Sequence, residues 1–170
     1  MEYFIEEVFF GKAGSVVALD PRSGAILAMA SMPAFDPDLV SGSLAKEEKA
    51  RLDQDPLKPW INRAISGQYS PGSTFKVVTA LAALIEGATS PTEKVFCPGF
   101  FRMGRHIWRC HKEQGHGAMN LHDAIKYSCD TFFYTMGGRM GLNPIARAGQ
   151  LFQLGIRSGI PLRGEQPGIM

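Results

Sequence analysis

Ser70-Pro71-Gly72-Ser73-Thr74-Phe75-Lys76-Val77-Val78-Thr79-Ala80-Leu81-Ala82-Ala83-Leu84-Ile85-Glu86-Gly87 is the stretch on which the fold turns. Pro71-Gly72 breaks the chain before it and Gly87 stops it, so the segment reads as one helix starting at Ser73. It is apolar nearly all round, which predicts a central, buried helix. Ser73 and Lys76 stand three residues apart and so share a face. On so apolar a helix the Lys76 amine is expected to be desolvated, which favours its neutral form. A neutral amine beside a hydroxyl is a general base, and the hydroxyl becomes a nucleophile at the positive end of the helix dipole. The bland alternative makes Ser73 an N-cap and Lys76 a snorkelling surface residue. Ser43-Leu-Ala-Lys46 repeats the spacing in a polar stretch, where the lysine should stay solvated.

Downstream, Ser128-Cys129-Asp130 places a hydroxyl and a carboxylate two residues apart, where the hydroxyl could relay a proton. The alternative is an N-cap for the helical run Asp130 to Gly137. Upstream, Ser15-Val-Val-Ala-Leu-Asp20 and Ala25-Ile-Leu-Ala-Met-Ala30 flank the turn Pro21-Arg-Ser-Gly24 and predict a β-hairpin covered on both faces. Residues 1–12 read as a short amphipathic helix, and within the Pro- and Asp-rich stretch 31–60 only Leu44 to Leu52 looks helical. Residues 88–118 read as irregular, with Phe100, Phe101 and Trp108 as local packing. Leu121 to Lys126 reads as helical, and so does a run from Asn143-Pro144 to Leu154. Phe132, Phe133 and Tyr134 are expected in the helix core.

The chain has 170 residues, 45% of them hydrophobic and 20% charged, with 18 − 16 = +2 net charge. That excludes a disordered chain and gives no support to nucleic-acid binding. No run approaches the roughly 18 apolar residues of a membrane span. Glu2, Glu6 and Glu7 exclude a cationic signal-peptide start, so an export signal would lie outside these residues.

Three cysteines cannot close a disulfide set within one chain. Cys97, Cys110, His116 and Cys129, spaced 13, 6 and 13 apart, make one Cys₃His set of the kind that holds structural zinc. Cys129 lies inside the Ser128–Asp130 motif, so a metal there would brace that loop from behind. A Cys97–Cys110 disulfide with Cys129 free, or three buried thiols, are the alternatives. His106, His111 and His122 could also be ligands but read as solvated surface groups.

Ser70-Pro-Gly-Ser-Thr-Phe-Lys76, followed about fifty residues later by Ser128-Cys-Asp-Thr-Phe-Phe-Tyr134, resembles the transpeptidase domain of penicillin-binding proteins. The match is closest to the class B, elongation-specific penicillin-binding protein 2 group. Val17-Ala-Leu-Asp-Pro-Arg-Ser-Gly-Ala-Ile-Leu-Ala-Met29, Phe35-Asp-Pro37, Asn62-Arg-Ala64 and Gly115-His-Gly117 extend the resemblance over residues 14 to about 165. The resemblance implies the α+β penicillin-binding protein/β-lactamase-like transpeptidase fold, an antiparallel sheet flanked by helices. Residues 1–170 would be one partial domain, with a hairpin over 14–30 and a mainly helical part over 73–170. It implies that Ser73 attacks a D-Ala-D-Ala stem peptide to form an acyl-enzyme, with Lys76 as base and Ser128 as proton shuttle. Asp130 stands where many relatives have Asn. The acyl group would pass to a neighbouring stem amine, cross-linking peptidoglycan, and β-lactams would acylate the same serine.

A cell-wall glycosyltransferase and elongation-complex proteins are the implied macromolecular partners. The implied location is the periplasmic face of a bacterial inner membrane. The family's third motif, Lys-Thr-Gly or Lys-Ser-Gly on a later strand, does not occur after Asp130. The family's membrane anchor and pedestal region have no counterpart either. The chain therefore reads as the first part of a truncated domain, with the remaining strands beyond Met170, an exposed sheet edge and weak or no activity of its own. A metal-stapled module without chemistry, and a β-lactamase or β-lactam sensor, are the rival readings.

Overall fold

Gly14–Leu19 (β1) and Ile26–Met32 (β2) form the expected antiparallel hairpin, in register from Gly14 opposite Met32 to Ala18 opposite Ala28. Its turn closes through Asp20 N to Ala25 O at 2.9 Å and Gly24 N to Asp20 O at 2.8 Å. The register slips after Ala18, so that Leu19 faces Ile26 and Leu27 bulges out. The computed structural model describes residues 5, 7–40 and 46–170. Two units within it are taken in turn: Met1–Tyr69 with Gly159–Gln166, and Ser70–Ser158 with Pro167–Met170.

In the first unit the hairpin is not covered on both faces. Val16, Val17, Leu19, Ile26 and Leu27 are exposed, because each strand pairs only with the other and one short helix lies against them. That helix, Arg63–Ser66 (α3), is tied to β2 by Ser31, whose Oγ donates to Ile61 O at 3.0 Å and accepts from Arg63 N at 2.9 Å. Asn62 caps it by accepting from Ala64 N. Pro37–Val40 (α1) is a short helix that the sequence reading missed. It starts where Asp36 Oδ1 accepts from Asp38 N at 2.9 Å, an aspartate turn that competes with extended chain. Lys46–Gln54 (α2) overlaps the helix expected over Leu44 to Leu52, runs two residues past it and buries Leu52. Residues 41–45, with Ser43 of the decoy motif, lie outside the described residues. So do residues 1–4 and 6 of the expected N-terminal helix, of which Ile5, Glu7 and Val8 are helical before a turn at 9–11. Phe35 and Trp60 pack with ring centroids 4.7 Å apart.

In the second unit a 3₁₀ turn, Gly72–Phe75, leads into Lys76–Ile85 (α4). The helix is buried on one side only: Val78, Thr79, Ala80, Ala82 and Ala83 are inside, whereas Val77, Leu84 and Ile85 are exposed. Helices Leu121–Lys126 (α5), Asp130–Met140 (α6) and Leu142–Leu151 (α7) pack around it. Helix α7 begins before the expected Asn143 cap, and α6 runs three residues past Gly137.

Residues 88–118 are not irregular. Val95–Cys97 (β3) pairs antiparallel with Gly117–Met119 (β6), and Phe100–Met103 (β4) with His106–Arg109 (β5). Strands of three and four residues are too short to show a period of two in the sequence. The core is Ala80, Ala83, Leu121, Ala124, Phe132, Phe133 and Met136, and all three cysteines lie within it. Helices and antiparallel strands thus make an α+β arrangement. No helix of the described residues is long and apolar enough to cross a membrane.

Candidate active site

Ser73 sits in the 3₁₀ turn and Lys76 opens α4, so the two are one tight turn apart. Ser73 is not an N-cap, since the turn has no side-chain cap bond, and Lys76 does not snorkel, since its side chain is 13% exposed. The ammonium donates to Ser128 O at 2.7 Å, Ser128 Oγ at 2.8 Å and Asp130 Oδ1 at 2.6 Å. These three acceptors match the three N–H donors of a lysine ammonium. Among the described hydrogen bonds none runs directly from Lys76 to Ser73. Ser128 stands between them and donates from Oγ to Ser73 Oγ at 2.9 Å.

Ser128 reaches this position through a strained backbone. It follows α5 at C′ of a Schellman motif, with Cys129 N donating to Ala124 O at 2.9 Å and Ser128 N to Ile125 O at 3.1 Å. Helix α4 ends in the same way, with Ala88 N to Ala83 O and Gly87 N to Leu84 O. There the left-handed residue is Gly87 at φ 64°, whereas here it is Ser128 at φ 52°. A left-handed β-carbon costs about 1–2 kcal/mol, and this strain is retained where the hydroxyl is needed. Ser128→Gly and Ser128→Ala both remove the hydroxyl, but only Gly relieves the strain. Ser128→Gly is expected to be more stable than Ser128→Ala by about 1 kcal/mol, read from thermal melts.

Asp130 is the first residue of α6 and does not cap it. Its Oδ1 takes Lys76, and its Oδ2 takes the His111 backbone N–H at 3.0 Å and the His111 ring at 3.2 Å. Burial pushes this carboxyl up, but Lys76 and His111 outweigh it and hold it below the ordinary aspartate value. His111 is exposed, as the sequence reading has it, yet it also bonds to Asp130 and so joins the network; its only sequence signal is its place beside Cys110. His106 and His122 are exposed. A cleft of about 830 Å³ opens beside Ser73, Lys76 and Asp130, walled by Phe101, Trp108 and Tyr134. Tyr134 thus faces the cleft, while Phe132 and Phe133 take the core positions expected of all three.

Behind Asp130, the sulfurs of Cys97, Cys110 and Cys129 and a ring nitrogen of His116 lie within 4.8 Å of one another. His116 Nδ1 is 3.6 Å from Cys97 Sγ and 3.5 Å from Cys110 Sγ. Zinc at its usual distances from sulfur and imidazole, in a tetrahedron, sets that edge at about 3.6 Å. The donor set fits a structural zinc ion. Burial pushes the Cys97 and Cys110 thiols up, but nearby hydrogen-bond donors prevail and lower both. Burial, with the neighbouring sulfurs, pushes Cys129 up to about 12. The three cysteines are free in the structure, their sulfurs gathered with His116 and not paired with one another. The close approach of the chain to Cys97 just before β6 requires Gly115, where a β-carbon would collide with Cys97 O.

The sequence profile of the penicillin binding protein transpeptidase domain matches residues 14–170. The peptidoglycan D,D-transpeptidase MrdA of Acinetobacter baumannii is 36% identical over 161 residues, 94% of this chain and 24% of that protein. Pseudomonas aeruginosa PBP2, solved in complex with WCK 5153, superposes with a TM-score of 0.90 at 34% identity, covering 97% of this chain and 38% of that one. PBP2 from Helicobacter pylori, solved in a complex with MreC, superposes with a TM-score of 0.94 at 27% identity over 99% of this chain and 32% of that one. The chain thus spans about a quarter of the length of the A. baumannii relative.

Proposed function

The chain belongs to the penicillin-binding protein transpeptidase domain family, and from that premise we propose that it carries the nucleophile and proton relay of a peptidoglycan D,D-transpeptidase. The observation that supports this most is one unbroken chain of hydrogen bonds, Asp130–Lys76–Ser128–Ser73, along the edge of the cleft. With Lys76 as the free amine, the proton of Ser73 passes to Ser128 Oγ and that of Ser128 to Lys76 Nζ, as Ser73 Oγ bonds to the carbonyl carbon of a D-Ala-D-Ala stem. The bond direction now present, from Lys76 through Ser128 to Ser73, is the one that returns the proton to the leaving D-Ala amine as the C–N bond breaks. The resulting ester then passes its acyl group to an amine of a second stem. β-Lactams present a strained amide to the same serine, and their opened ring stays attached.

The Cys97, Cys110, His116 and Cys129 group would hold a structural zinc ion, whose chemistry is to brace the loop of Ser128 and not to take part in acyl transfer. Glycan strands are cross-linked outside the cytoplasm, so the reading puts the domain on the periplasmic face of the inner membrane. The MreC complex of the H. pylori neighbour supports an elongation-complex protein as partner, and a cell-wall glycosyltransferase would supply the strands to be cross-linked. The test is covalent labelling with benzylpenicillin, followed by mass mapping of the adduct. An adduct on the peptide holding Ser73 is expected, and an adduct on any other serine would refute the assignment.

A further inference from the structure

The chain between β5 and β6 carries His111 directly after Cys110, so the buried sulfur cluster sets where His111 points. Two of its donors converge on one oxygen: the backbone N–H reaches Asp130 Oδ2 at 3.0 Å and ring Nδ1 lies 3.2 Å from it. A carboxylate oxygen only accepts, so Nδ1 carries the proton in this contact. The other oxygen, Oδ1, holds Lys76 at 2.6 Å. An aspartate carboxyl has a broad χ2 preference and does not fix its own plane. Three donors, two on one oxygen and one on the other, do fix it.

We propose that His111 is a positioning residue for the acylation: its ring N–H pins Oδ2 of Asp130, which keeps Oδ1 on Lys76 and Lys76 against Ser128. His111 touches neither Ser73 nor Ser128 among the described hydrogen bonds, so it acts only through the carboxylate. It also gives the cluster a second link to the relay, besides Cys129 between Ser128 and Asp130. Cys110 lies in the cluster, His111 follows it, and the chain of contacts runs on through Asp130 and Lys76 to the nucleophile. The inference rests on the reading of Ser73 as nucleophile given above.

Two substitutions separate positioning from packing. Asn places its side-chain N–H where histidine places Nδ1, whereas Phe keeps a ring and loses the donor. In the full-length protein that contains this segment, rapid labelling with benzylpenicillin resolves the initial binding constant from the acylation rate constant. His111→Phe is expected to lower the acylation rate constant about tenfold, the backbone N–H still holding part of the contact. The binding constant, metal content and melting midpoint should stay at their wild-type values. His111→Asn should restore the rate constant to within about threefold of wild type. A wild-type rate in His111→Phe overturns the proposal, and so does a loss that His111→Asn leaves unrepaired.

A wild-type protein that takes no label on Ser73 would refute the nucleophile reading by itself. The placement of the carboxylate is then read separately, in the 170-residue chain, from the carboxyl carbon resonance of Asp130 assigned with Asp130→Ala. That resonance should move in His111→Phe and keep its wild-type position in His111→Asn. An unmoved resonance in His111→Phe overturns the inference.

Discussion

Lys76→Ala is expected to slow penicillin acylation of the full-length protein by about 10²–10⁴-fold, the usual worth of a positioned general base. Ser73→Ala should abolish the adduct outright, because no other hydroxyl in the relay is exposed to attack a carbonyl from the cleft. The size of the Lys76 effect follows from its place in the network. Among the described residues it is the only cation bonded to Ser128 Oγ and Asp130 together, and its removal leaves a partly buried carboxylate with His111 as its one remaining partner there. The loss should fall mainly on the acylation rate constant, since Lys76 bonds to Ser128 and Asp130 of the relay, while Phe101, Trp108 and Tyr134 supply the wall of the cleft. Progress curves with a chromogenic or fluorescent penicillin measure that rate constant. A Lys76→Ala protein that acylates within about threefold of wild type would remove lysine from the role of base.

Removal of the proposed zinc ion is expected to have the second large effect. Structural zinc binds small domains with about 10–16 kcal/mol, as much as a whole domain's stability of about 5–15 kcal/mol. The sulfurs of Cys97, Cys110 and Cys129 lie at the centre of the second unit's core, so that unit would lose its support from within. Chelation, or His116→Ala, should lower the melting midpoint by about 10 °C or more, several kcal/mol in a domain of this size. Native mass spectrometry should show about 65 Da of metal in the wild type and none in the variant. Protein purified without metal, melting alike with and without chelator, would sink the zinc reading; a mass about 2 Da low would replace it with a disulfide. Because Cys129 adjoins Ser128, the same treatment should also slow acylation.

The two effects meet at residues 128–130. Ser128 is held left-handed by the end of α5, Cys129 is drawn into the core, and Asp130 starts α6. On the proposed reading, three consecutive residues thus serve as relay, anchor and counter-ion. Shifting any one of them moves the other two.

The sequence by itself determined whatever local spacing controls. Ser73 and Lys76 fall within one turn, so their neighbourhood follows from a helix that Pro71-Gly72 starts and Gly87 stops. The β1–β2 hairpin was equally legible, because its turn and both strands lie within twenty residues. The three cysteines were legible as candidate metal donors by residue type, but four histidines competed for the fourth place, and the fold brings His116 to Cys97 and Cys110. Only the tertiary structure decided how distant pieces meet. Ser128 lies 52 residues from Lys76 and 55 from Ser73, and its place between them comes from packing α5 and α6 against α4. His111 meets Asp130 because β3 and β6 pair across a loop, an event with no periodicity to read. The exposed side of α4 and the open hairpin were misjudged for one reason. An apolar run says that a surface would gain by burial, but only the placement of neighbouring elements decides which surface is covered.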